Sequence, residues 1–121
     1  MLHAFLRRYA RRQAATVAPF VVGRRILDLG AGEAYVAAAL APRWTCAVDV
    51  GPFRRAPGRY VVYDGGRLPF PDGAFDTTLL LLVLHHCADA DAVLDEACRV
   101  TRRRVIVTES VYRNRRERFW L

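Results

Sequence analysis

The chain reads as one α/β domain built on a doubly wound, mostly parallel sheet of about five strands. Three observations predict it. Short apolar runs alternate with helix-patterned segments along most of the sequence, the arrangement that parallel strands with crossover helices require. One run, Leu79-Leu80-Leu81-Leu82-Val83-Leu84, holds no polar residue, as a central strand covered on both faces demands. Another, Ile26-Leu27-Asp28-Leu29, leads straight into Gly30-Ala31-Gly32 and an alanine-rich stretch, so that a strand feeds a tight glycine turn opening a helix.

Each element has its own signal. Leu2, Phe5, Leu6 and Tyr9 recur at helical spacing while Arg7, Arg8, Arg11 and Arg12 fall largely on the other faces. Residues 1–21 are therefore expected to hold an amphipathic helix ending before Pro19. Such a helix can lie on a membrane or a partner; packing on its own domain, residues 22–121, is the commoner arrangement. Strands are expected at 26–29, 45–49, 60–64, within 75–84, and at 104–108. Helices are expected at 33–40, at 89–100 and from Tyr112 onward. Segments 51–59 and 65–73 carry prolines and glycines and read as loops, leaving the sheet thinly covered near the third strand.

With 121 residues, 53% hydrophobic and 26% charged, the composition is that of a single soluble globular domain. The longest apolar run is far below the roughly 20 residues that span a bilayer, and no signal peptide is read at the N-terminus. Cys46, Cys87 and Cys98 are odd in number and unrelated in spacing, which points to reduced thiols in a cytoplasmic protein. The net charge of +7 comes from 19 arginines and no lysine, clustered at Arg7 to Arg12, Arg102 to Arg104 and Arg113 to Arg118. An anionic partner such as RNA or a membrane surface would use them; a coding bias toward solvated arginines explains them equally, and no nucleic-acid module accompanies them.

The glycine turn carries the chemistry. Gly30 permits a sharp turn, and Gly32 leaves no side chain where a ligand must approach the backbone. Asp28 near the strand's carboxyl end is expected to point a carboxylate into the crevice where open α/β sheets bind ligands. The sixth position of a G-x-G-x-x-G fingerprint is Tyr35, and without lysine there is no Walker loop. Asp49 stands 21 positions after Asp28, about where a carboxylate accepts from a ribose diol; alone, it could as well cap the next turn. Asp64 closes the third expected strand. His85, His86 and Cys87 with Asp89 are too close in sequence to converge on one ion, and no metal is assigned.

Together these residues resemble a known family. Asp28-x-Gly30-x-Gly32-x-Ala34 is similar to the first motif of class I S-adenosylmethionine-dependent methyltransferases, with the last glycine replaced by alanine. Asp64 to Asp76 resembles the D-x-x-x-LPFPDGxFD segment of the methyltransferase type 11 group, which includes ubiquinone and menaquinone biosynthesis methyltransferases. Val83-Leu84-His85-His86 resembles that group's LHH signature. The resemblance spans roughly residues 22 to 111. It implies a Rossmann-like sheet in the order 3-2-1-4-5, with S-adenosyl-L-methionine as cofactor. Asp28, Gly30, Ala31 and Gly32 would then face the methionine portion, Asp49 and Val50 the ribose, and Asp64 and Gly65 the adenine, with Leu82 and His86 lining the pocket. The reaction implied is methyl transfer to a small-molecule acceptor by in-line displacement, in which positioning does much of the work. No catalytic residue is assigned; His86 is a candidate general base, set against a packed or helix-capping histidine.

Three departures from the family pattern stand out. Ala34 replaces the third glycine, Thr101-Arg102-Arg103-Arg104 replaces a K-P-G-G turn, and the sequence stops at Leu121, where members continue into a final helix and an antiparallel strand pair. The fifth strand would then be an exposed apolar edge, needing a partner or self-association to cover it. A truncated non-catalytic cofactor-binding or interaction module is therefore the alternative reading, and an RNA methyltransferase using the arginine clusters a third.

Overall fold

The computed structural model describes residues 1–110, and the helix expected from Tyr112 lies outside them. Five strands form one sheet in the order β3-β2-β1-β4-β5, where β1 is Arg25–Leu29, β2 Trp44–Asp49, β3 Arg59–Val62, β4 Phe75–Leu81 and β5 Thr101–Thr108. All four pairings are parallel. The expected order is met, and the apolar runs occupy the middle of the sheet. Leu27, Leu29, Val48, Phe75 and Leu80 pack with Ala97 and Val100 of α3 (Ala90–Val100) on one face. Ile26 and Leu79 turn to the other face, against Ala14 and Val17 of α1 (Leu2–Val17).

Helix α1 does not bury the face its pattern suggested. Its buried residues are Ala10, Ala14 and Val17, whereas Leu2, Phe5 and Tyr9 are exposed. The cause is the neighbour. The short helix α2 (Tyr35–Ala39) is itself mostly alanine, and two small-residue faces approach more closely than leucine and aromatic faces can.

Several boundaries move for local reasons. Helix α2 begins at Tyr35 and not at 33, because residues 31–34 close a turn in which Ala34 N–H donates to Ala31 O and Ala34 takes φ +69°. That left-handed conformation costs an alanine about 1 kcal/mol, which a glycine would not incur. Strand β3 ends at Val62, so Asp64 lies two residues beyond it. Strand β4 ends at Leu81, and Leu82 follows at φ +59°. The arginine-rich turn expected at 101–104 is not a turn: α3 passes directly into β5 at Thr101, whose hydroxyl bonds to the Ala97 carbonyl and to Thr78. Arg102, Arg103 and Arg104 thus stand exposed on the edge strand, and only its later part, with Val107, presents the apolar edge anticipated from sequence. Charged residues on an edge strand oppose strand addition there.

The LPFPDG segment is fastened by Arg99. Its guanidinium donates to the carbonyls of Leu68 and Phe70 and to the carboxylates of Glu96 and Asp72. Glu96 in turn accepts from Leu68 N–H at 2.6 Å. Loop 65–73, lacking secondary structure of its own, is thereby held against α3 while Leu68 fills the core.

Candidate functional site

At the carboxyl ends of the strands a cleft of about 470 Å³ opens between the β1 and β4 termini and α3. The glycine turn forms its floor. Gly30 and Ala31 N–H both donate to Val48 O, at 2.8 and 3.0 Å, pinning the turn to β2. Gly30 has φ +77°, and a Cβ there would stand 2.6 Å from a Val83 methyl, so the position admits only glycine on two counts. Gly32, at φ +54°, faces the opposite situation: a Cβ there would meet nothing within 4 Å. That is open space above a bare backbone, the room a ligand needs.

Asp49 organises this backbone. One carboxylate oxygen accepts from Gly32 N–H at 2.8 Å and the other from Val50 N–H at 2.7 Å. The Tyr60 hydroxyl donates to Gly32 O at 2.8 Å and also lies 3.3 Å from Gly51 O, tying the same turn to the loop after β2. Burial and the nearby Asp49 carboxylate push the Tyr60 phenol up.

The sequence candidates divide. Gly30, Asp49, Val50, Gly65, Leu82 and His86 line the cleft. Ala31 and Gly32 lie in the turn beneath it, half-buried. Asp64 is exposed, and one of its oxygens accepts from Gly66 N–H at 2.8 Å, so it braces its own turn while Tyr63 and Gly65 form the wall. Asp28 departs from expectation. Strand alternation turns it with Ile26 to the side of α1 and α2, away from the cleft lining, and it is only 3% exposed. Burial, reinforced by the Asp49 charge, pushes its carboxyl up to about 7.

Sequence reasoning missed Leu29, Tyr63, Val83, Cys87, Ala88, Asp89, Ala92 and Val93, which complete the lining. The α3 residues are drawn in because Asp89 caps that helix, accepting from Ala92 N–H at 3.0 Å, and so aims the helix start at the cleft. The signal was a Ser/Asp-type cap before a periodic apolar segment. Beside the cleft, His85 Nδ1 pairs with Glu109 at 2.8 Å, and Glu109 also accepts from Leu84 N–H. Burial pushes the Glu109 carboxyl up, but these two bonds together hold it below the usual carboxylate range. Leu82 and Ala34, the two non-glycine residues at positive φ among the described residues, both sit at this end of the sheet, where strain concentrates around sites.

The electrostatics of the cleft narrow its ligand. In a chain with 19 arginines and net charge +7, the lining contributed by the described residues holds two carboxylates, Asp49 and Asp89, and no arginine. A phosphate would meet those carboxylates with no cation to offset them. Leu29, Val50, Val83, Ala92 and Val93 make the rest of this wall apolar, so the cleft suits an uncharged or cationic ligand better than an anionic one. Among the described residues no group of three or more His, Cys, Asp or Glu could hold a metal ion.

Comparison with known proteins bears on the family and the fold. Residues 27–107 match the model of the methyltransferase domain family. The chain is 40% identical over 89 residues to an uncharacterized methyltransferase of Mycobacterium sp. (strain JLS), covering 66% of this chain and 35% of that protein. It is 38% identical over 104 residues to a demethylmenaquinone methyltransferase of Mycolicibacterium gilvum (strain PYR-GCK), covering 78% and 43%. The chain thus spans less than half the length of these relatives. Among solved structures, a SAM-dependent methyltransferase from Thermotoga maritima superposes with a TM-score of 0.71 at 20% identity, covering 85% of this chain and 53% of that one. The cyclase SpnF superposes at 0.72 with 24% identity, covering 87% and 47%. These likenesses are of fold. The sequence match over the glycine turn, the acidic strand ends and the LPFPDG segment is what assigns the family: this chain belongs to the S-adenosylmethionine-dependent methyltransferase domain family of class I.

Proposed function

We propose that the chain binds S-adenosyl-L-methionine in the cleft and serves methyl transfer to a small-molecule acceptor. The observation that carries this reading is that, among the described residues of a strongly basic protein, the cleft is lined by Asp49 and Asp89 with no arginine, which suits a sulfonium ligand and opposes a phosphate. Gly30, Ala31 and Gly32 would hold the methionine portion on bare backbone, with Asp28 buried behind the turn and outside the cleft lining. Asp49 and Val50 would take the ribose, and Asp64 and Gly65 the adenine edge, with Tyr63 and Leu82 against the ring. When bound, the cofactor supplies an activated methyl group. The chain's own residues orient it, exclude water with the apolar wall, and offer His86 on the cleft lining as the base for an acceptor proton.

Binding is tested by thermal unfolding with cofactor. S-adenosylmethionine should raise the melting temperature by mass action, and Asp49→Ala should diminish the rise by losing both the ribose acceptor and the Gly32 tether. Absence of a rise at millimolar cofactor overturns the reading. Transfer is tested separately with labelled methyl groups, a demethylmenaquinone-type quinol being the first acceptor to try, because a relative of this chain carries that name. His86→Gln should abolish transfer and leave the cofactor shift intact. Cofactor binding with no transfer to any acceptor would instead select a domain that binds cofactor without transferring methyl groups.

A further inference from the structure

Helix α1 carries an exposed apolar stripe that the cofactor site does not explain. Leu2, Phe5 and Tyr9 are 66%, 64% and 46% exposed, and the Phe5 and Tyr9 rings stack nearly parallel with centroids 6.4 Å apart. Arg8 and Arg12 flank the stripe on the outer side of the helix, with Arg7 and Arg11 beyond them. The helix holds no acidic residue, and among the described residues none of these four arginines has a salt-bridge partner. Among the described residues no helix, α1 included, is long and apolar enough to cross a membrane, so the stripe is not part of a span. An apolar strip bordered by unpaired arginines is the pattern of a helix lying in a bilayer interface.

We propose that α1 docks on an anionic lipid surface, with Leu2, Phe5 and Tyr9 at the boundary of headgroups and acyl chains and Arg8 and Arg12 on lipid phosphates. Charge complementarity selects this occupant. A second copy pairing through the same face would set Arg8 and Arg12 against their own copies, with no acidic residue on the helix to neutralise them. An RNA strand would satisfy the arginines but offers Leu2 and Phe5 no apolar phase. The placement on the fold is also suitable. Tyr9 and Arg12 share a hollow with Leu81, Leu82 and Thr108, and Leu82 also lines the cofactor cleft. Docking through α1 therefore sets the rim of the cleft at the bilayer, where an acceptor dissolved in the membrane could enter. That consequence rests on the proposed methyl transfer; the docking itself does not.

Vesicle sedimentation of the full chain tests the docking without cofactor. The protein should sediment at low salt with mixed phosphatidylcholine–phosphatidylglycerol vesicles and remain in solution with phosphatidylcholine alone. F5S/Y9S and R8Q/R12Q should each weaken binding by about tenfold or more, while their melting temperatures and cofactor-induced shifts stay at wild-type values because these side chains are exposed. A wild type that stays in solution with anionic vesicles, or an F5S/Y9S variant that binds them undiminished, overturns the proposal. So does a dimer that F5S/Y9S dissolves, or a short single-stranded RNA that displaces wild type from vesicles and binds F5S/Y9S equally well. Loss of the cofactor shift with vesicle binding intact would instead strike the proposed function alone.

Discussion

Replacing Asp28 by asparagine should make the domain more stable at neutral and alkaline pH. The carboxyl is buried under the glycine turn, and desolvation with help from Asp49 moves it from 3.8 to about 7. The folded state therefore holds a proton that the unfolded state has already released across that interval. Stability is present in full below about pH 4, falls as pH rises, and levels off above about pH 7. At about 1.4 kcal/mol per unit the loss amounts to about 4 kcal/mol. Asparagine carries no charge, so the slope between those limits disappears. Its unpaired amide costs roughly 1–2 kcal/mol, leaving a net gain of about 2 kcal/mol at pH 8 that shrinks as pH falls and becomes a net loss of about 1–2 kcal/mol near pH 4. Thermal and urea unfolding at several pH values would show it, with a rise in melting temperature of several degrees at pH 8. An Asp28→Asn protein that keeps the wild-type slope, or that is less stable at pH 8, would refute the reasoning.

The remaining predictions concern the turn and its supports. Gly30→Ala should cost about 3 kcal/mol from left-handed strain and the overlap with Val83, and adding Val83→Ala should recover part of it in a double-mutant cycle. Gly32→Ala should cost only about 1 kcal/mol, since its Cβ meets no protein atom, yet lose the cofactor-induced shift; retention of that shift would show that no ligand approaches there. Glu96 is held down to about 2, first by its bonds from Arg99. Its contribution is thus present above about pH 4.5 and lost as pH falls toward 2, and Glu96→Gln should narrow the difference between neutral and acid stability in urea melts. Tyr60→Phe should leave the fold standing but weaken cofactor affinity, measured calorimetrically, by freeing the Gly32 carbonyl.

Much of the site could be read from the chain because its residues act through backbone rules. Gly30 and Gly32 take positive φ wherever a strand must turn at once into a helix, and Asp49 stands at a strand end whatever packs around it. Val83 and the Asp89 cap could not be read as site residues, since each reaches the cleft only after β4 and α3 are placed beside β1, and Tyr60 meets the Gly32 carbonyl only once β3 lies beside β2. Ala34 gave no sign of its left-handed backbone; the turn imposes it, and burial of its methyl group partly offsets the strain.

By itself the sequence determined the parallel sheet, its central strands and the glycine turn, because apolar runs and glycine positions depend on local stereochemistry and on burial from water. Tertiary structure decided which way side chains face. It turned Asp28 behind the turn, gave the α1–α2 contact to alanines and left Leu2, Phe5 and Tyr9 outside, and cleared the cleft of arginine. Facing depends on which surfaces approach most closely and on where charge can stay in water. Those are properties of neighbours that periodicity along a single chain does not contain.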